Sequence, residues 1–333
     1  MKKITIFILV LCLAFPLTAC KNRNTDNTSS KKPVNASAAV ETFDNVSSED
    51  ISKPIKPSKA DVEHFLETDK SIAVSGELSD QRYSADISSL ENILKNYSHN
   101  ISLAVYSVDG AKGLAFNTSA EIFGACTVKA AYTLYACIQM ENGNGDLNST
   151  LSYEQKHYES GTGDMQYSPF GTVFTMETAL NKSMSISDNV GYLMSVDYFG
   201  RDGYNKFVTD LDCPSLVIKP TVWSLRTKAN DLVKIWCEIY DYFETDSKYA
   251  RFLYNSCTNT SGNYATAAID GIDYSHKQGH NSTGEWLSLS DAGIVWKGDT
   301  PYVIAILTDA PGPSSYDADV FADVIDIVHN KLF

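Results

Sequence analysis

The period of apolar and polar positions changes several times along this chain. "DISSLENILKNYS", residues 86–98, spaces its apolar residues for one face of a helix. "ISLAVYSVDG" alternates and ends in Asp-Gly, and "AKGLAFNT" follows, which predicts two strands joined by a tight turn. The run from Cys126 to about Met140 is apolar nearly all round and stops at "ENGNGD", so it predicts a central, buried helix. Residues 150–260 read as mostly helical. Within them "METALNKSMSISDNVGYLMSVDYFG" gives one helix, a break and another, and "TKANDLVKIWCEIYDYFE" is clearly amphipathic. "DYSHKQGH", "EWLSLSDAGIVWK" and "TPYVIAILTD" then predict three strands, and "YDADVFADVIDIVHNKLF" closes as a helix.

This order predicts an α+β fold. An antiparallel sheet built from the first and last portions is flanked by helices, an α/β sandwich, and the middle forms a mainly helical second lobe. The cleft between lobes is the expected ligand site.

The first 80 residues break these patterns. "MKK" followed by "ITIFILVLCLAFPL" is a basic start and an apolar run too short for a comfortable membrane span, and "LTAC" puts small residues before Cys20. Residues 1–19 resemble a bacterial lipoprotein signal, with Cys20 as the lipidated residue. Residues 20–80 read as a disordered tether, because "KNRNTDNTSSKKPVNASAAV" has few large apolar residues to offset its chain entropy. A short helix is expected around "SKADVEHFLETD", residues 58–69, and one domain spans 81–333. The expected location is therefore extracytoplasmic, on a lipid anchor in the cell envelope.

The net charge of −14 argues against nucleic acid as a partner. Of seven cysteines, Cys12 falls in the signal and Cys20 at its end. The remaining Cys126, Cys137, Cys213, Cys237 and Cys257 are odd in number, so at least one thiol stays unpaired within the chain. No Cys-x-x-Cys spacing or His cluster is present, and no metal or cofactor is expected.

Three short motifs carry candidate chemistry: Cys126-Thr127-Val128-Lys129 at a helix start, Ser187-Asp188-Asn189 in the break between two helices, and Lys277-Gln278-Gly279 on a C-terminal strand. A nucleophile at a helix start meets unpaired N–H groups and the positive end of the macrodipole, and a lysine one turn on can hold or take its proton. In this order the motifs resemble those of the class A β-lactamases and related penicillin-binding proteins, Ser-x-x-Lys, Ser-Asp-Asn and Lys-Thr-Gly. The resemblance covers roughly residues 82–333. It implies the β-lactamase/transpeptidase-like fold and a serine-hydrolase-like acyl transfer. It also implies catalytic roles for Cys126, Lys129 and Ser187, and substrate binding by Asn189, Lys277, Gln278 and Gly279. The implied ligand is a cell-wall (peptidoglycan) peptide amide or a β-lactam.

Two departures stand out. Cys126 occupies the place of the nucleophilic serine, and the only other Ser-x-x-Lys, Ser29 to Lys32, lies in the tether. Cys126 is then a working nucleophile, or the site only binds wall fragments as a sensing pseudoenzyme, or the thiol is a small core residue. Secondly, "LDCPSLVIKPTVWSLRTKAN" holds no acid between Asp212 and Asp231, where the family places its water-activating glutamate. An acyl-enzyme is expected to be long-lived. Of the remaining candidates, His276 reads as orienting the strand lysine or as a strand histidine with a local hydrogen bond. Tyr158, Tyr167 and Tyr192 line the cleft or simply pack. Trp286 reads as sheet-surface packing, and Asp291 as a hairpin-turn residue.

Overall fold

A computed structural model describes residues 59–220, 225–265 and 271–333. The expected signal segment, Cys20 and most of the expected tether lie outside the described residues.

Six strands form one antiparallel sheet: β1 (Ile72–Gly76), β2 (Ile101–Ser107), β3 (Lys112–Phe116), β8 (Asp273–Asn281), β9 (Ser288–Trp296) and β10 (Tyr302–Thr308). Their order across it is β1-β3-β2-β10-β9-β8. Strands β2 and β10 are buried on both faces, which explains their nearly unbroken apolar runs. In register, Ala305 pairs with Ala104 and Ile304 with Val105. The alanines face the helical lobe, while Val105 and Ile304 face α1 (Ser84–Asn96) and α8 (Ser315–Ile327) through Leu90, Leu94, Phe321 and Val324. Each fully buried Leu or Ile of this second layer contributes about 1.5–3 kcal/mol relative to exposure.

The other face carries α2 (Lys129–Glu141), α3 (Met176–Ser185), α4 (Asn189–Phe199), α5 (Arg201–Asp210), α6 (Ala229–Phe243) and α7 (Lys248–Thr258). Helix α2 is buried over nearly all its length, as its apolar surface requires. Two short ladders, β4 (Ile122–Phe123) with β7 (Arg226–Thr227) and β5 (Thr150–Ser152) with β6 (Val173–Thr175), pin the loops around it.

Three expectations need correction. Residues 59–68 form no helix, because their N–H groups are taken from outside the segment. Asp61 N–H donates to the Val108 carbonyl, Leu66 N–H to the Tyr106 hydroxyl and Thr68 N–H to Thr118 Oγ1. Nor does a tether run to residue 80: Phe65 and Leu66 pack on the core, and β1 pairs with β3 from Ile72↔Phe116 to Gly76↔Lys112. Asp291 closes no turn. It sits in the middle of β9, opposite Gln278, and is wholly buried.

Candidate active site

Chain geometry brings the three motifs to one place. After β4 the backbone makes a 3-10 turn, Ala125–Val128, and only then enters α2 at Lys129. Ala125 lies at φ 45°, a left-handed value that aims the next residue inward, and Thr127 Oγ1 closes the turn on the Gly124 carbonyl at 2.7 Å. Cys126 and Lys129, three apart along a 3-10 turn, share a face. Ser187, also left-handed at φ 59°, bridges α3 and α4. Behind it, the buried Asp188 caps α4 by accepting from Gly191 N–H at 2.9 Å and also accepts from Met165 N–H at 2.9 Å. Lys277 projects from β8.

Lys129 Nζ donates to the Ser187 carbonyl at 2.6 Å and to Asn189 Oδ1 at 2.7 Å. Lys277 Nζ donates to Ser187 Oγ at 2.5 Å. The Lys129 and Ser187 side chains both favour the ionised form of the Cys126 thiol. Catalytic candidates from all three motifs therefore form one buried network, with Cys126 only 6% exposed. Gly279 acts by closeness: a Cβ there would lie 2.2 Å from the Gly124 carbonyl oxygen and 3.0 Å from Cys126 N, so only glycine lets β8 run against the turn that carries Cys126. Gln278 turns elsewhere, its amide donating to the Ser261 carbonyl at 3.0 Å.

Burial pushes the Cys126 thiol up, but the Lys129 and Lys277 charges, with the Ser187 side chain, outweigh it, and the net shift is downward. Burial pulls Lys129 down against the Cys126 thiolate, Asp188 and Glu159. Burial likewise lowers Lys277, to about 8. Cys137, Cys213, Cys237 and Cys257 are free, buried and shifted upward by burial, as inert core thiols are.

Several contributors escaped the sequence reading. Thr162 Oγ1 donates to the Ser187 carbonyl at 2.6 Å, and Asn189 Nδ2 donates to the Ser160 carbonyl at 3.1 Å. The "SGTGD" stretch thus clasps the second motif, and its two glycines were the available signal. Asp291 holds β8 from behind: it pairs with His276 Nδ1 at 2.8 Å and accepts from Tyr264 and Ala265 N–H at 2.9 and 3.1 Å. His276 Nε2 meets Thr260 Oγ1 at 2.6 Å, the local bonding expected of a strand histidine. Tyr192 is buried, with Lys129 Nζ 5.7 Å from its ring centre, whereas Tyr158 and Tyr167 are exposed. The two acids bounding the loop after α5 are engaged elsewhere. Asp212 pairs with Lys234 at 2.8 Å, and the buried Asp231 accepts from Ser215 Oγ at 2.7 Å. A broad cavity of about 610 Å³ nearby is lined by Lys156, Tyr158, Glu159 and Arg201 rather than by Cys126.

The sheet, the helical lobe and the meeting of the three motifs between them define the β-lactamase/transpeptidase-like fold. The chain belongs to the beta-lactamase enzyme family, whose sequence profile matches residues 87–332. No curated protein matches it. Among solved structures it is similar to PBP-A, with TM-score 0.67, 17% identity, and 78% of this chain and 98% of that one covered. A mutant of PBP-A, described as an acyl-enzyme complex with penicillin G, gives 0.66 at 18% identity, covering 74% and 95%. A class A β-lactamase from Bacteroides cellulosilyticus gives 0.65 at 18% identity, covering 76% and 99%.

Proposed function

We propose that this protein is an extracytoplasmic, lipid-anchored acyl-transfer hydrolase of the β-lactamase-like class that uses Cys126 as its nucleophile. One observation carries the reading: a buried thiol at the network of Lys129, Ser187 and Lys277, with its ionisation shifted down by the two lysines in spite of burial. An inert core cysteine needs no such surroundings, and in the other four burial prevails and raises the thiol.

The thiolate sulfur attacks the carbonyl carbon of a wall-peptide amide or a β-lactam. The Cys126 N–H, against β8, is one donor to the developing oxyanion. The C–N bond then breaks, and the leaving nitrogen takes a proton relayed from Lys129 through Ser187. The product is a thioester on Cys126. Lys277 and Ser187 supply charge and a hydroxyl for a substrate carboxylate, and Asn189 an amide contact. Hydrolysis would need water at the thioester, and residues 213–230 contain no acid to activate it. The adduct should persist. Anchoring through Cys20 is supported by the sequence of residues 1–20 alone.

Intact-mass spectrometry after incubation with penicillin G tests this, with peptide mapping and a Cys126→Ala control. A penicilloyl adduct on Cys126 that survives for hours is the expected result. No adduct, together with alkylation of Cys126 no faster than of an ordinary free thiol, would sink it and favour a non-catalytic wall-binding module.

A further inference from the structure

The hairpin joining β8 and β9 reaches past the nucleophile turn, and its tip builds a second concavity of about 390 Å³. Trp286 stands at its rim, 40% exposed rather than lying on the sheet. The indole is fixed from two sides: Phe123 packs edge-on with centroids 5.6 Å apart, and the Arg226 guanidinium lies 5.9 Å from the ring centre. Arg226 is itself held by the Glu121 carbonyl at 2.5 Å, and Asn281 Nδ2 ties the hairpin tip through the Trp286 carbonyl at 2.5 Å. The other walls carry the carboxylates of Glu121, Glu285 and Asp309. Asp309 is held in place, its Oδ1 by Asn100 N–H at 2.8 Å with His99 Nδ1 at 4.0 Å and its Oδ2 by Asn100 Nδ2 at 2.5 Å, whereas neither Glu121 nor Glu285 forms an ion pair among the described residues.

From this geometry we infer that the concavity is a saccharide subsite, taking one ring of an amino-sugar oligomer. A pyranose ring has an apolar C–H face that stacks on a rigid indole, and hydroxyls around its edge that donate to carboxylates. Arg226 supplies a donor for an acetamido carbonyl. Three carboxylates against one guanidinium disfavour an anionic ligand. Phe123, which lines the subsite, precedes Cys126 by three residues, so the Cα atoms of these two residues are at most about 11 Å apart. One long substrate could reach both, yet saccharide binding does not depend on Cys126 being reactive.

The test is calorimetric titration of the purified full chain with tri-N-acetylchitotriose, backed by ligand-observed NMR. Wild type and Cys126→Ala should bind equally. Trp286→Ala should weaken binding by about tenfold or more, and Trp286→Phe should lose less. An exposed side chain at a hairpin tip can be removed without unfolding, which an unchanged melting curve verifies. No binding by wild type up to about 10 mM, or equal binding by Trp286→Ala, overturns the assignment.

Discussion

A thiol between two ammonium groups titrates as part of a set. At neutral pH the downward shift of Cys126 leaves more thiolate than an ordinary cysteine carries, and alkylation follows the thiolate. Replacing Lys129 with Ala removes a charge but leaves the burial that raises the thiol. The alkylation midpoint should therefore move to higher pH. The rate at pH 7 should fall by about tenfold for every whole step of pH by which that midpoint rises above 7. Superimposable pH–rate profiles would show that Lys129 does not support the thiolate. Lys277 sets a separate limb. Burial lowers it to about 8, so it is charged below that pH and neutral above it. Acylation by a substrate bearing a carboxylate should accordingly lose apparent affinity, not maximal rate, as pH rises through about 8. Lys277→Met should abolish that limb, and a carboxylate-free substrate should never show it.

At the scale of elements, the placing of Lys277 depends on how β8 is held. Asp291 gathers His276, two backbone N–H groups and, at 3.4 Å, the Tyr274 hydroxyl, all in a fully buried position. Asp291→Ala would orphan these donors, at a cost of about 3–5 kcal/mol, read as a lower urea midpoint at unchanged slope. Asp291→Asn keeps an acceptor and should lose less. A midpoint unmoved by the alanine change would mean that β8 is held by its ladder alone. The sequence announced β8, β9 and β10, α2 and the α3–α4 break because each has a clear period or stop. It misread Asp291 because "LSDAG" has the composition of a turn, while the acid's partners lie 15 to 27 residues away. The site triplets were legible as motifs. The loop through Ser160 and Thr162 that braces them was not, since Ser160 acts through a backbone carbonyl that any residue carries and the Thr162 hydroxyl bonds a residue 25 positions away.

For the whole molecule, the decisive misreading concerned where the domain begins. Composition makes residues 20–80 look uniformly polar, yet the tail of that stretch carries Phe65, Leu66 and the apolar start of "IAVSG" in β1. These positions close the outer edge of the sheet and cover part of the helical lobe, with Asn230 Nδ2 donating to the Leu66 carbonyl at 2.9 Å. Exposing two partly buried apolar side chains costs about 2–4 kcal/mol, and stripping β1 leaves β3 as an open edge. A chain starting at residue 59 keeps all of these contacts and is the reference for the comparison. One starting at residue 81 should melt about 8 °C or more lower and aggregate on heating. The comparison also bears on the site, because β3 pairs with β2, β2 with β10, β10 with β9, and β9 with the strand that carries Lys277. If the shorter chain keeps the same melting temperature and the same Cys126 alkylation rate, the sheet needs no outer strand, and the tether does extend to residue 80. If both fall together, the segment is a working part of the domain, and acylation measured on a chain begun at residue 81 would understate the reactivity of Cys126.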